Sequence, residues 1–448
     1  MVLTKEQYSR YLRHIIIPEI RDQGQKKLLE ASVSIYGENV KELFSLVLYL
    51  TAMGIGQVNC YFQKDDGVAL LISQAKDLNT DVRIELIRDK SPESNFRIVL
   101  GSPPFIKRIS KHLLKDNFVP TLFSLVKQWK FALNLLRDSE DMLEFIELLP
   151  EEEGEWDISF PFLLSGALCS IEAVKEILNI GNNIEKILSF DLLNLDIKDY
   201  HKSESIKAIK SINSEYEKPT DISQGKILVV GAGGLGSPVS IALTMIGVGT
   251  IGLLDFDVVE LSNLNRQVLH STSRIGMLKA ESAKYILKKL NPQIKINTHN
   301  VNLTKENAIE IIKEYDLVIA AVDNIETRYL LNDACYFLKK PLIESGILRF
   351  HGTSTTIIPE KGHCYRCLYP NIDGMSLKAP GILGAVPGVM GLIEALEAYK
   401  VITGTGTTLK NKLLLFDGLD MEFDIIKIEK NPECPICGEN PTITKLQD

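Results

Sequence analysis

The sequence has no run of about 18 apolar residues, so no membrane-spanning helix is expected. Its first residues, MVLTKEQYSRYLRH, are polar and lack the apolar centre of a secretory signal. Basic charge is not in excess: the formal net charge is −8, which argues against nucleic acid or an anionic membrane as the main partner. Cysteine is sparse, and seven thiols in a chain without a signal fit a reducing cytosol better than a disulfide framework. The expected location is therefore cytoplasmic. What is present, 45% hydrophobic and 24% charged residues over 448 positions, suits a globular enzyme of two or three domains.

The most informative stretch is GKILVVGAGGLGSPVSIALTMIGVGTIGLLDFDVVE, residues 225–260. Ile227 to Val230 read as a buried parallel strand, and a helix of small and apolar residues opens near Ser237. Gly231, Gly233, Gly234 and Gly236 lie between them, and a second strand, Ile251 to Leu254, ends in Asp255. Strand, glycine turn, helix, strand and acid make a nucleotide-binding βαβ unit. The glycines allow close approach to phosphates, and the acid is placed for ribose hydroxyls. Taken alone, the pattern fits NAD, FAD, SAM and ATP binders equally.

The order of events occurs twice. TAMGIGQVNCYF (51–62) echoes TMIGVGTIGLLDF (244–256), and LNTDVRIE (78–85) echoes LNPQIKIN (290–297). SIEAVKEILNIG (170–181) echoes ALEAYKVITG (395–404), and LSFDLLNLD (188–196) echoes LLFDGLDME (414–422). Ordered echoes imply an internal duplication. A helix is expected over 1–30, a strand over 32–36, a helix over about 40–53, and a polar linker over 202–223. In the first half GENVKE replaces the glycine loop, CYF replaces the acid, and Ser102 falls opposite Asp323, so that half keeps a fold and loses a nucleotide site. The acidic run 151–155 reads as a solvated loop.

Further motifs follow: DFDVVELSNLNRQ (255–267), the G-x-x-K ending at Lys279, DNIETR (323–328), CYRC (364–367) and CPIC (434–437). With the glycine loop they resemble the ThiF/MoeB adenylyltransferases, bacterial relatives of ubiquitin-activating enzymes, over nearly the whole second half. RYLRHII (10–16) is similar to that family's N-terminal arm, R-Y-x-R-Q-I. The resemblance implies tandem Rossmann-like α/β folds: a degenerate first copy over 1–205, and an active copy with a structural zinc site over 206–448. It implies ATP-dependent adenylation of a C-terminal carboxylate, with Asn263, Arg266, Gln267 and Lys279 around the phosphates and Asp323 as the magnesium ligand. It also implies that Arg13 crosses to the second-half site, so that two complementary halves form an internal pseudo-dimer, which could pair again as a homodimer. Read without the resemblance, Arg266 and Lys279 could be surface charges, Arg10 and Arg13 could neutralise nearby acids, and Asp323 could cap a helix starting at Asn324. Asp257 could equally be loop solvation, and Arg274 and Arg328 have no assigned role.

Cys364, Cys367, Cys434 and Cys437 supply enough thiolates for a closed tetrahedral zinc site. It would tie the C-terminal segment to the loop after the strand at 353–358. The loop 371–391, where some family members carry a reactive cysteine, contains none; Leu377 or a neighbour takes the place, and Cys335 reads as core. The chemistry is therefore expected to stop at the adenylate, with a separate sulfur donor. The leading substrate is a small ubiquitin-like sulfur carrier. A ribosomal precursor peptide, clamped by the divergent half, is the second reading; a dead scaffold and a nicotinamide dehydrogenase are the others.

Overall fold

The computed structural model describes residues 2–88, 92–151, 158–212, 219–370 and 380–446. Each half builds an eight-stranded sheet. The first comprises β1 (Ser32–Gly37), β2 (Gln57–Phe62), β3 (Arg83–Leu86), β4 (Phe96–Gly101), β5 (Thr121–Lys127), β6 (Lys130–Leu136), β7 (Ile187–Asp191) and β8 (Asp196–Tyr200). The second comprises β9 (Lys226–Val230), β10 (Thr250–Leu254), β11 (Lys295–His299), β12 (Leu317–Ala320), β13 (Leu342–Leu348), β14 (His351–Ile357), β15 (Lys412–Asp417) and β16 (Glu422–Lys427). Their spatial orders, β3-β2-β1-β4-β5-β6-β7-β8 and β11-β10-β9-β12-β13-β14-β15-β16, are the same. In both, the first five strands of that order run parallel and the remaining pairings are antiparallel. The molecule is thus two Rossmann-like halves. In each, the order reverses beside the first strand, the topological switch point where α/β sheets bind ligands.

Four helices form the layer between the sheets: Val40–Met53, Ser159–Leu178, Gly236–Met245 and Val386–Thr403. They are buried almost all round, as a helix must be when apolar on every face. The Trp129 ring of one half lies 4.9 Å from the Tyr399 ring of the other, and Phe190 meets Phe423 edge-on at 5.3 Å. The contacts reciprocate. Asn182 N–H donates to the Leu419 carbonyl at 2.9 Å, and Thr407 N–H donates to the Leu193 carbonyl at 2.7 Å. Leu193 and Leu419 hold the same place in the echoed segments. Gly181 and Gly406, at φ 64° and 68°, are related in the same way, as are the fully buried ion pairs Glu172–Lys175 and Glu397–Lys400. A two-fold dimer interface has this isologous pattern.

The expected helix over 1–30 is broken into Lys5–Arg10, Leu12–Ile15 and Arg21–Glu30. Pro18 disfavours helix in the residue before it, and Arg21 turns at φ 54°. The break folds Arg10 inward while leaving Leu12 exposed. The expected linker contains a helix, Ser205–Ile212, whose Ala208, Ile209 and Ile212 are buried in the first half's core. Of the described helices, none is long and apolar enough to cross a membrane.

Candidate functional site

β9 leads through the glycine turn into the helix Gly236–Met245. Gly231 adopts φ 101°, and a Cβ there would strike the Ala321 carbonyl just after β12; one on Gly236 would strike the Gly231 carbonyl. The backbones of both switch-point strands therefore close in as only glycine permits. Asp255, buried at the end of β10, accepts the Ala232 N–H at 2.8 Å and the Asp257 N–H at 2.9 Å. Burial raises its carboxyl above the ordinary value, against the pull of Lys279. The Ala232 carbonyl faces His270 Nε2 at 2.8 Å, and His270 Nδ1 faces Ser282 Oγ at 3.0 Å. Burial pushes that imidazole down to about 3, so it is neutral.

Gly233 lies against Gln267 and Gly234 against the Arg266 stem. Arg266 donates to the Ser262 carbonyl at 3.0 Å and to Asn265 Oδ1 at 2.9 Å. Burial lowers its guanidinium to about 10; Arg13 adds to the lowering and Asp323 opposes it. Burial also lowers Arg13, again against Asp323. Asp323 is thus within electrostatic reach of both Arg13 and Arg266, although Arg13 belongs to the N-terminal arm. Backbone contacts seat the arm: Arg13 Nη1 donates to the Pro380 carbonyl at 3.0 Å, and Ile382 N–H donates to the Arg13 carbonyl at 3.0 Å. Asn265 Nδ2 and Gln267 Oε1 are buried without a protein partner among the described residues.

The remaining motif residues have local partners. Lys279 lies 2.8 Å from Asp257, which makes Asp257 an ion-pair partner instead of simple loop solvation. Asn263 Oδ1 accepts the Glu260 N–H at 3.1 Å. The helix Ile325–Leu338 is capped by Asn324, which accepts the Thr327 N–H, so Asp323 is not its cap. Arg328 pairs with Glu344 and donates to the carbonyls of Val322 and Ser345, which anchors the turn carrying Asp323. Arg10 neutralises an acid, Asp81, at 3.9 Å. Arg274 approaches Asp77 of the first half at 4.0 Å, and a cavity of about 340 Å³ borders that contact, away from the glycine loop. His270 and Asn265 were missed from sequence; Asn265 is the variable position inside the S-N-L-x-R-Q motif, and His270 lies three residues beyond it. The segment 371–379, with Leu377, lies outside the described residues.

At the matching place in the first sheet, the helix Val40–Met53 starts directly after its cap Asn39. Glu42 accepts the Glu38 N–H at 2.6 Å and the Asn39 amide at 2.8 Å, and Glu38 accepts the Ser102 hydroxyl at 2.8 Å. The chain's own carboxylates take donors that a phosphate would need.

Cys364, Cys367, Cys434 and Cys437 bring their sulfurs within 4.8 Å of one another. Neighbouring sulfurs lie 3.3–3.9 Å apart. Tetrahedral zinc with Zn–S of about 2.3 Å requires S···S of roughly 3.8 Å, so the donor set fits. Asn431 N–H points at Cys367 Sγ at 3.5 Å, and the knuckles join the turn after β14 to the C-terminal segment. Cys335 is buried, and burial raises its thiol, as a core residue requires.

Known proteins resemble about half of the chain. The "Adenylyltransferase and sulfurtransferase MOCS3" of Culex quinquefasciatus is 47% identical over 232 residues, 51% of this chain and 53% of that protein. Its namesake in Danio rerio is 44% identical over 234 residues, 51% of this chain and 50% of that one. The chain spans about half the length of the curated relatives it matches. A solved structure, "Crystal Structure of SeMet PaaA", is 24% identical with a TM-score of 0.42, covering 47% of this chain and 66% of its own. The sequence profile of the ThiF family matches residues 203–436, and the chain belongs to the ThiF family.

Proposed function

We propose that the chain adenylates the C-terminal carboxylate of a small ubiquitin-like sulfur carrier. A carboxylate oxygen attacks the α-phosphorus of ATP, pyrophosphate leaves, and the carrier becomes an acyl-adenylate. The observation that carries this reading is that Arg266, whose stem lies against Gly234 of the glycine turn, feels both Arg13 of the N-terminal arm and Asp323. Arg13 lowers the proton affinity of the buried Arg266, and the Asp323 carboxylate opposes that lowering. A polyphosphate relieves the repulsion between the two cations, most strongly where the transition state spreads charge over phosphate oxygens.

The glycine-loop N–H groups would hold phosphate and Asp255 the ribose. Asn265 Nδ2 and Gln267 Oε1 are free to meet polar atoms of the nucleotide. Lys279 would reach a phosphate by exchanging Asp257 for it. Asp323, an oxygen ligand, is the residue that would hold magnesium beside the phosphates. The four thiolates would hold zinc structurally, leaving no open position for chemistry. The first half acts as an inactive partner within one chain, and a separate sulfur donor takes over after adenylation. The relatives' printed name, adenylyltransferase and sulfurtransferase, supports the sulfur-carrier reading. No observation favours the precursor-peptide alternative. The test is ATP–pyrophosphate exchange by the full chain with small carriers ending in Gly-Gly. Carrier-dependent exchange is expected; none with any carrier of the same genome refutes the reading.

A further inference from the structure

The first half touches the second-half site at a place other than Arg13. The segment 268–274, just beyond Arg266 and Gln267, lies against the first-half helix Val68–Leu78. Gln74 donates to the Val268 carbonyl at 3.3 Å. Asp77 accepts from Ser271 Oγ and Ser273 Oγ, each at 2.6 Å, and from Ser273 N–H at 3.0 Å. Arg10 donates to the Leu78 carbonyl at 2.8 Å and to Thr272 Oγ1 at 3.1 Å. Arg274, beside Asp77, carries the contact inward: its Nε donates to Ser282 Oγ at 2.9 Å and its Nη2 to the Leu269 carbonyl at 2.9 Å. Ser282 then meets His270 Nδ1, and His270 Nε2 meets the Ala232 carbonyl in the glycine turn.

One proton arrangement satisfies this chain. Arg274 only donates and the Ala232 carbonyl only accepts. Ser282 therefore accepts from Arg274 and donates to Nδ1, and the neutral imidazole carries its proton on Nε2. His270 and Ser282 are fully buried, where such bonds are strong and a missing partner is costly. The peptide after Ala232 is planar and trans, so a carbonyl fixed toward His270 turns the Gly233 N–H the opposite way. We infer that Asp77 is a positioning residue for the nucleotide site: it orients Arg274, which through Ser282 and His270 sets the peptide plane of the glycine turn. This rests on the nucleotide-binding role proposed above.

The test is calorimetric titration of ATP into the full chain, which needs no carrier. The variants are Asp77→Asn, Asp77→Ala, Ser282→Ala and the double Asp77→Ala/Ser282→Ala. The parent should bind ATP, and Asp77→Ala should weaken binding roughly tenfold at unchanged zinc content. Asp77→Asn, which keeps an acceptor and the side chain's shape, should lose less. The double variant should bind no more weakly than Ser282→Ala alone, because both changes cut one chain. Fold-losses that multiply, or parent-like binding by Asp77→Ala, overturn the inference. A parent that binds no ATP removes the nucleotide reading itself, and the positioning role falls with it.

Discussion

Arg13 and Arg266 sit on different halves and answer to the same Asp323. Arg13→Ala should cut carrier-dependent pyrophosphate exchange on the order of a hundredfold, the usual scale for a lost charge-stabilising donor. Its melting temperature should hold, because Arg13 is only partly buried and donates to a single backbone carbonyl. Glu394 makes a different residue-level prediction. It is fully buried in the helix Val386–Thr403, and burial raises its carboxyl from 4.5 to about 8 against the charge of Arg328. Between those values the folded chain keeps a proton that the unfolded chain releases, so this group makes stability fall as pH rises from about 4.5 to about 8. Glu394→Gln should remove up to about 1.4 kcal/mol per pH unit of that slope, read by urea unfolding at several pH values. The glycine turn between β9 and its helix, and Asp255 at the end of β10, were legible in sequence because that pattern is written locally. His270 and Asp77 were not: a histidine or an aspartate has meaning only once folding supplies its partners.

The glycine turn and its counterpart differ in how their donors are met. In the second half the turn leaves loop donors open; in the first, Glu38 and Glu42 fold back onto them. Equilibrium dialysis should therefore find one ATP per chain, and Glu42→Gln should leave that number unchanged. The missing glycines were readable from GENVKE; the self-satisfied donors were not, since they depend on how Glu42 turns within its helix. The cluster of Cys364, Cys367, Cys434 and Cys437 was readable from its two C-x-x-C pairs. Cys434→Ser should release the metal and lower stability by several kcal/mol, because such a site couples ligand geometry to folding. Metal analysis beside thermal unfolding checks both, and well under one zinc per parent chain refutes the assignment.

At the scale of the molecule, the echoed segments foretold two sheets of one topology, and the sheets have it. The seam between them was not legible, because reciprocity belongs to two surfaces together. Trp129, 1% exposed, packs on Tyr399 across that seam. Trp129→Ala should cost about 3–5 kcal/mol, and in the parent both halves should melt in one transition. Zinc release and far-ultraviolet dichroism that track each other would establish this; separated transitions would show the halves to be independent. The role proposed for Arg13 has a kinetic consequence, because the arm is covalently continuous with the glycine turn it would serve. An enzyme assembled from separable subunits loses the borrowed arginine when diluted, whereas here the local concentration of that side chain is fixed by the polypeptide itself. Turnover per chain should therefore stay constant down to nanomolar protein, and a fall on dilution would refute the proposed role of Arg13.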